Sequence, residues 1–227
     1  MAVVAEVSQQ SLRAQEKAIA DRFTGGFPWP MVIWPFVNTT VWLSLWPLVF
    51  TGLLPLWAGF LIALLNLSVS YLPSHDAQHN IIFPEGSRWH WFNEFVGWVS
   101  VIPMWIPLSV LRVTHYEHHR HANHPDLDPD YPMAAPTALG GLGKAIVKSQ
   151  PRHDRYGETL NRLGTPASRK AMLHAMIARV SQYTILAVLA WSGHVWEALL
   201  LWWLPLKISS VYINFYLSWA PHRPMTQ

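Results

Sequence analysis

Five histidines sit at spacings that bring their rings together on helices. His75 and His79 occupy H-D-A-Q-H-N. Residues four apart share a helix face, so both imidazoles reach toward one ion. His115, His118 and His119 occupy H-Y-E-H-H, where i, i+3 and i+4 again converge. Neutral imidazole binds iron, zinc, copper or nickel, and the spacing alone selects none of them. One such cluster would pass for ordinary satisfied polar residues. Two clusters, each where an apolar segment ends, point to a metal centre. His222, in W-A-P-H-R-P, leaves the last apolar segment on the same inferred face and is a sixth candidate ligand. Asp76, Asn80 and Glu117 lie beside the ligands, and Asp128 and Asp130 follow in P-D-L-D-P-D. Such groups accept from imidazole N–H and fix tautomer and ring plane. The prolines in that acidic run break the spacing an EF-hand needs. His90, His153, His174 and His194 have no metal-binding spacing and read as surface or interfacial residues, and His121 and His124 as loop residues or supports of the ligands. No catalytic residue is expected apart from the ligands themselves.

The elements that must position these groups are written in the apolar pattern. Hydrophobic residues make up 51% of the chain and charged residues 13%, against about 25% charged in soluble domains. That content excludes a disordered chain. The absence of cysteine excludes a disulfide scaffold, thiolate metal sites and thiol nucleophiles. Gly140-Gly141-Leu142-Gly143-Lys144 lacks Walker spacing, and Ala145 stands where a phosphate loop needs Ser or Thr. Phe23 to Ser74 contains no Asp, Glu, Lys or Arg, a length that suits two spans with a turn at Thr51, Gly52 and Pro55. Val180 to Ala220 is broken only by Glu197 and Lys207 and reads as a second hairpin turning near Ser192–Trp196. The expected spans are 30–50, 55–73, 178–196 and 198–220. Lys207 then lies within the fourth span, where a charge is costly unless it faces the bundle interior or the span is short. A segment over 92–111, with Pro103 and Pro107, is short for a span and is expected to lie at the interface. Residues 132–169 read as a loop with little regular structure. The first 22 residues carry Glu6, Arg13, Glu16 and Lys17, which exclude a secretory signal and suit an amphipathic helix on the membrane. The net charge of +3 is no nucleic-acid signal. Most basic residues lie between Arg88 and Arg179, with Arg13, Lys17 and Arg22 before the first span and Arg223 after the last. The positive-inside rule therefore places the N-terminus (1–22), the central region (74–178) and the C-terminus in the cytoplasm.

These residues resemble the membrane fatty-acid desaturase and hydroxylase superfamily, which carries three histidine boxes. HxxxH stands as His75–His79 and HxxHH as His115–His119. The string H-Y-E-H-H-R-H-A-N-H-P-D-L-D-P-D-Y and W-A-P-H-R-P are most similar to the desaturase-like carotenoid ring hydroxylases. The resemblance covers roughly residues 30–225. It implies an all-α membrane protein, with two transmembrane hairpins and an interfacial helix under a cytoplasmic histidine-box cap. It also implies two non-haem irons that use O₂ to attack an unactivated C–H bond of an apolar lipid. A carotenoid ring is favoured over an acyl chain. No Rossmann or haem motif is present, so electrons are expected from an external ferredoxin or cytochrome-type donor docking near Arg152, Arg155, Arg169 and Lys170. The family's third box should follow the last span, yet no HxxHH precedes Gln227. Where some desaturases place Asn one turn before the histidine leaving the fourth span, Ser218 stands. The expectation is a C-terminally truncated chain.

Two other classes compete. His75-Asp76-x-x-His79 differs from the zinc-hydrolase motif H-E-x-x-H by one methylene. A zinc site needs only three or four protein ligands, which leaves the second box unused. A non-catalytic truncated form is the other, with a metal carrier disfavoured because the histidines sit at the ends of the spans and not along them.

Overall fold

The computed structural model describes residues 9–23, 26–149 and 155–222. The chain is all-helical, and four of its helices are long and apolar enough to cross a membrane: Trp29–Phe50, Leu56–Gln78, Pro166–Trp191 and Val195–His222. Helix α1 (Gln9–Phe23) precedes them, and residues 1–8 of the expected N-terminal helix lie outside the described residues. The first span is α2 (Trp29–Phe50) and the second joins α3 (Leu56–Val69) to α4 (Tyr71–Gln78). Gly52, at φ 75°, makes the turn between them, a conformation glycine adopts at little cost. Pro73 has no N–H for the carbonyl of Val69, so the helix is interrupted at Ser70 just before the first histidines.

The third span, α9 (Pro166–Trp191), is capped by Thr165, whose side chain accepts from the Ser168 amide. It begins well before the expected 178, because the cap and Pro166 start a helix that carries Arg169, Lys170 and Arg179 with it. It ends at Trp191, short of the expected 196, where Gly193 at φ 90° turns the chain. The fourth span runs through α10 (Val195–Ala198) and α11 (Leu204–Ile213), with wider π-type turns at Leu199–Trp203 and Asn214–Trp219. Pro205 cannot donate to the carbonyl of Leu201, and the Trp42 indole donates to that oxygen instead, at 3.1 Å. Trp42, Trp46, Trp105 and Trp202 pack together with Leu45, Ala63 and Leu67 as the core of the bundle. Asn38 bonds the Ser70 hydroxyl at 2.6 Å and Asn66 bonds the carbonyl of Asn38 at 2.8 Å, which locks the first hairpin where no water competes.

Two expectations are corrected by the regions between the hairpins. The segment over 92–111 is not one helix: α5 (His90–Ser100) and α6 (Leu108–His121) are separated by a turn containing Pro103 and closed by Pro107. Trp105 sits in that turn at φ 55°. A bulky residue is strained there, and it is held by its ring packing on Trp202 at 5.1 Å and its indole bond to Ser181 at 3.0 Å. Residues 132–169 are not a featureless loop either. They contain α7 (Ala138–Lys148) and α8 (Arg155–Leu163) as well as the start of α9. The glycines of α7 do not break it. A Cβ on Gly141 would lie 2.5 Å from the Trp219 ring, so glycine there permits close packing on the fourth span.

Candidate metal centre

The second span and α6 each deliver histidines to one point. His75 and His79, one turn apart at the end of α4, have ring centroids 4.8 Å apart. His115 lies 4.7 Å from His75 and 4.8 Å from His79, and His119 lies 4.4 Å from His115 and 4.9 Å from His79. The Nε2 atoms of His79 and His119 both approach Nε2 of His115, at 2.8 and 3.0 Å. One ring nitrogen carries either one proton or one lone pair, so it cannot serve two such contacts as hydrogen bonds. Such close approach of ring nitrogens is consistent with a metal site. Among the described residues, His75, His79 and His115 have one ligand nitrogen each within 4.8 Å of one another.

His118 belongs to a second group. Its ring lies 5.6 Å from that of His119 and 6.1 Å from that of His115, and it places Nε2 3.1 Å from Nε2 of His222 at the end of the fourth span, with rings 4.7 Å apart. Its Nδ1 lies 2.8 Å from Oδ1 of Asp128, which is almost wholly buried. That carboxylate also accepts from the amides of Asn123 and Asp130, so its position is fixed. The six sequence-predicted histidines thus fall into adjoining groups of four and two.

Burial and neighbouring rings keep His79, His115 and His119 in the ligand form. Burial lowers the pKa of His115 to about 3, and the neighbouring histidines His75, His119, His79 and His118 push the same way. Burial and neighbouring imidazoles also lower His79 and His119. A neutral ring has the lone pair a metal needs. At His118 burial lowers the pKa, but the bond to Asp128 and the charges of Asp130 and Asp128 outweigh it and the net shift is upward.

The fatty acid desaturase profile matches residues 51–226. The chain belongs to the fatty acid desaturase family. Two curated proteins similar to this chain are carotenoid ketolases. A zeaxanthin 4-ketolase of Chlamydomonas reinhardtii is 29% identical over 96 residues, covering 40% of this chain and 21% of that protein. A beta-carotene 4-ketolase of Protosiphon botryoides is 30% identical over 97 residues, covering 40% of this chain and 24% of that protein. The aligned stretch therefore spans less than a quarter of either relative. No solved structure matches the chain. The expected likeness to carotenoid-modifying members is seen at a coarser level: these relatives are carotenoid 4-ketolases, not specifically hydroxylases. The paired histidine groups are consistent with the metal site typical of this desaturase family.

The residues expected to support the histidines divide differently from the sequence reading. Only Asp128 bonds an imidazole. Asp76 stays 3.8 Å from Nδ1 of His75, beyond a hydrogen bond. Asn80, at φ 57°, accepts from Asn93. Glu117 pairs with Arg120 and lies 3.6 Å from Arg162, joining α6 to α8. Asp130 bonds Lys148 at 2.5 Å and accepts from Tyr156 and Ser218 at 3.2 Å, with no histidine among these partners. Burial works against its ionisation, but Lys148 outweighs that and holds its carboxyl down to about 2.

Sequence reasoning missed the groups that hold the first box. Arg112 donates to the carbonyl of Ala77 at 2.9 Å and forks onto both oxygens of Glu94 at 2.8 and 2.5 Å. Asn93 donates to the same carbonyl at 2.9 Å, and the Tyr116 hydroxyl donates to that of Gln78 at 2.7 Å. These are the last carbonyls of α4, which need donors. Arg112 stands one turn before His115, so α6 ties down one box while carrying the other. A charge at the edge of an apolar segment was the available signal. His90, His174 and His194 are engaged with Phe83, Ser109 and the Phe50 ring respectively. His124 accepts loop amides from Asp126 and Leu127. His153 lies outside the described residues.

Proposed function

We propose that this chain is an O₂-dependent membrane oxidoreductase with two non-haem irons, acting on a ring carbon of a carotenoid. The carrying observation is the convergence of His75, His79, His115 and His119, with His118 and His222 beside them, in a desaturase-family chain whose curated relatives include ring ketolases. The donor set is all imidazole, which suits iron. The group of four would hold one iron, and His118 with His222 would contribute to the other. Bound iron supplies activation of O₂ and oxidation of an unactivated C–H bond.

The protein residues do the holding and orienting. Asp128 accepts the Nδ1 proton of His118, which leaves the Nε2 lone pair facing His222. Arg112, Asn93 and Tyr116 fix the end of α4 and with it His75 and His79. Taking a ring CH₂ to an alcohol consumes one O₂, two electrons and two protons and releases water. Repeating the step at the same carbon gives a gem-diol that loses water to a ketone. A ketolase and a hydroxylase therefore differ in how often one carbon is presented, and the ketolase relatives favour the repeat. Fatty-acyl desaturation is the alternative on the same centre.

Electrons come from outside, from a ferredoxin or cytochrome-type donor. Arg169 and Lys170 are exposed on the first turn of α9, and Arg155 bonds the carbonyl of Pro125 nearby on α8, while Arg152 lies outside the described residues. The distribution of basic residues supports a cytoplasmic location for this face and the histidines. The test is expression in cells that accumulate β-carotene, with product analysis. A ring ketone or alcohol supports the proposal. New unsaturation in acyl chains with unchanged carotenoid overturns the substrate assignment.

A further inference from the structure

Lys207 lies within the fourth membrane span, and a charge there needs a partner. Its partner is the end of α7. Nζ of Lys207 lies 3.5 Å from the carbonyl of Ser149, and Asn214 reaches the Ser149 hydroxyl at 3.4 Å. At its other end α7 sets Gly141 against the Trp219 ring. Between these points Ala145 is buried in a cluster with Trp219, Phe215 and Val211. Trp219, Phe215 and Val211 are successive turns of one face of the fourth span. Helix α7 therefore runs along that span from Trp219 toward Asn214, advancing roughly 12 Å from Gly141 to Ser149 at 1.5 Å per residue, and the Lys207 side chain reaches up to its end.

The opposite face of α7 is apolar and uncovered. Leu139 is 84% exposed, and Leu142, Ile146 and Val147 are 42%, 48% and 49% exposed. They share one side of the helix, away from Gly141 and Ala145. The fourth span itself exposes Tyr212 and Tyr216, residues that favour the headgroup level of a bilayer. We propose that α7 is a membrane-inserted helix whose outer face lies among the acyl chains of the leaflet next to the histidines. Bilayer lipid is the occupant because the helix lies along a membrane span and its end meets a lysine inside that span. A strip of four residues is also far short of the roughly 20–30 residues a side of a stable protein interface. The insertion bears on the site. Lys148, at the same end of α7, bonds Asp130, whose amide bonds the Asp128 carboxylate that holds His118.

The chain has no cysteine, so single spin labels can be placed without background. Leu142→Cys and Ile146→Cys would be labelled in the full chain in phosphatidylcholine nanodiscs. Leu65→Cys, on the exposed side of the second span, serves as the lipid reference. Glu158→Cys, on α8, serves as the water reference. All four positions are exposed, so the label displaces no packed atoms. The ratio of collisions with O₂ to those with a water-soluble nickel chelate reads the surroundings. The expected result is a ratio at 142 and 146 that matches Leu65. A ratio that matches Glu158 would place α7 in water and overturn the proposal. Protection from both reagents would overturn it in favour of a second copy of the chain covering the strip.

Discussion

Asp128 decides which nitrogen His118 presents, and it does so from a buried position with both oxygens engaged. Asp128→Asn keeps the shape but can offer its NH₂ to Nδ1, which would turn the proton to Nε2 and spoil it as a ligand. Loss of such a supporting group typically costs 10–100-fold in metal affinity. The expected outcome is iron binding weakened about that much at one of two sites, read by titration of the metal-free chain, with the other site unchanged. Acid tests His115. The pKa of His115 is about 3 in the folded chain and near 6.5 in the unfolded one. The unfolded state therefore binds the extra proton, and stability present above pH 6.5 is lost as pH falls from there toward 3. The metal-free chain should unfold at progressively lower temperature over that window, and His115→Gln should flatten the slope. A slope unchanged by that substitution would mean that another group controls the titration. At this scale the histidines that come together were legible because helical spacing is local. Arg112 was not, since its bond to Ala77 joins positions far apart in sequence and exists only after α4 and α6 meet.

Elements show where pattern reading succeeds and where it fails. The charge-free run from Phe23 to Ser74 had to become a hairpin, and it does. The glycines of 140–143 look like loop residues because a lone sequence does not show what presses against them. In the structure Gly141 meets Trp219 and α7 is formed around that contact. Gly141→Val would push a branched side chain into the indole, and overpacking of this kind costs about 1–3 kcal/mol. The measurable outcome is a lowered unfolding temperature in detergent, whereas Gly143→Val, whose Cβ meets nothing within 4 Å, should change it far less. Equal effects at the two positions would show that helix propensity, and not the contact with Trp219, sets the cost. The same logic explains 92–111: the sequence is apolar from Phe95 to Leu111, but Pro107 starts a new helix and the chain must turn before it.

For the whole molecule, the four spans serve to bring three separate pieces of sequence to one level. The end of the second span supplies His75 and His79, α6 supplies His115, His118 and His119, and the end of the fourth span supplies His222. The exposed basic start of α9 is the surface proposed for the electron donor. Arg169→Gln with Lys170→Gln should slow electron transfer most at low ionic strength and converge on the unaltered rate as salt rises, because steering by exposed charges is screened. Equal rates at all salt concentrations would rule out docking on this face.

Metal content is the most direct test of the central claim. The chain, purified in detergent under reducing conditions and reconstituted with ferrous iron, would be analysed for iron and zinc per polypeptide. The account predicts about two irons per chain, falling to about one when His118 and His222 are both replaced, as expected for adjoining groups of four and two imidazoles. One tightly held zinc with no iron would contradict it and bring forward the hydrolytic reading of the first histidine pair.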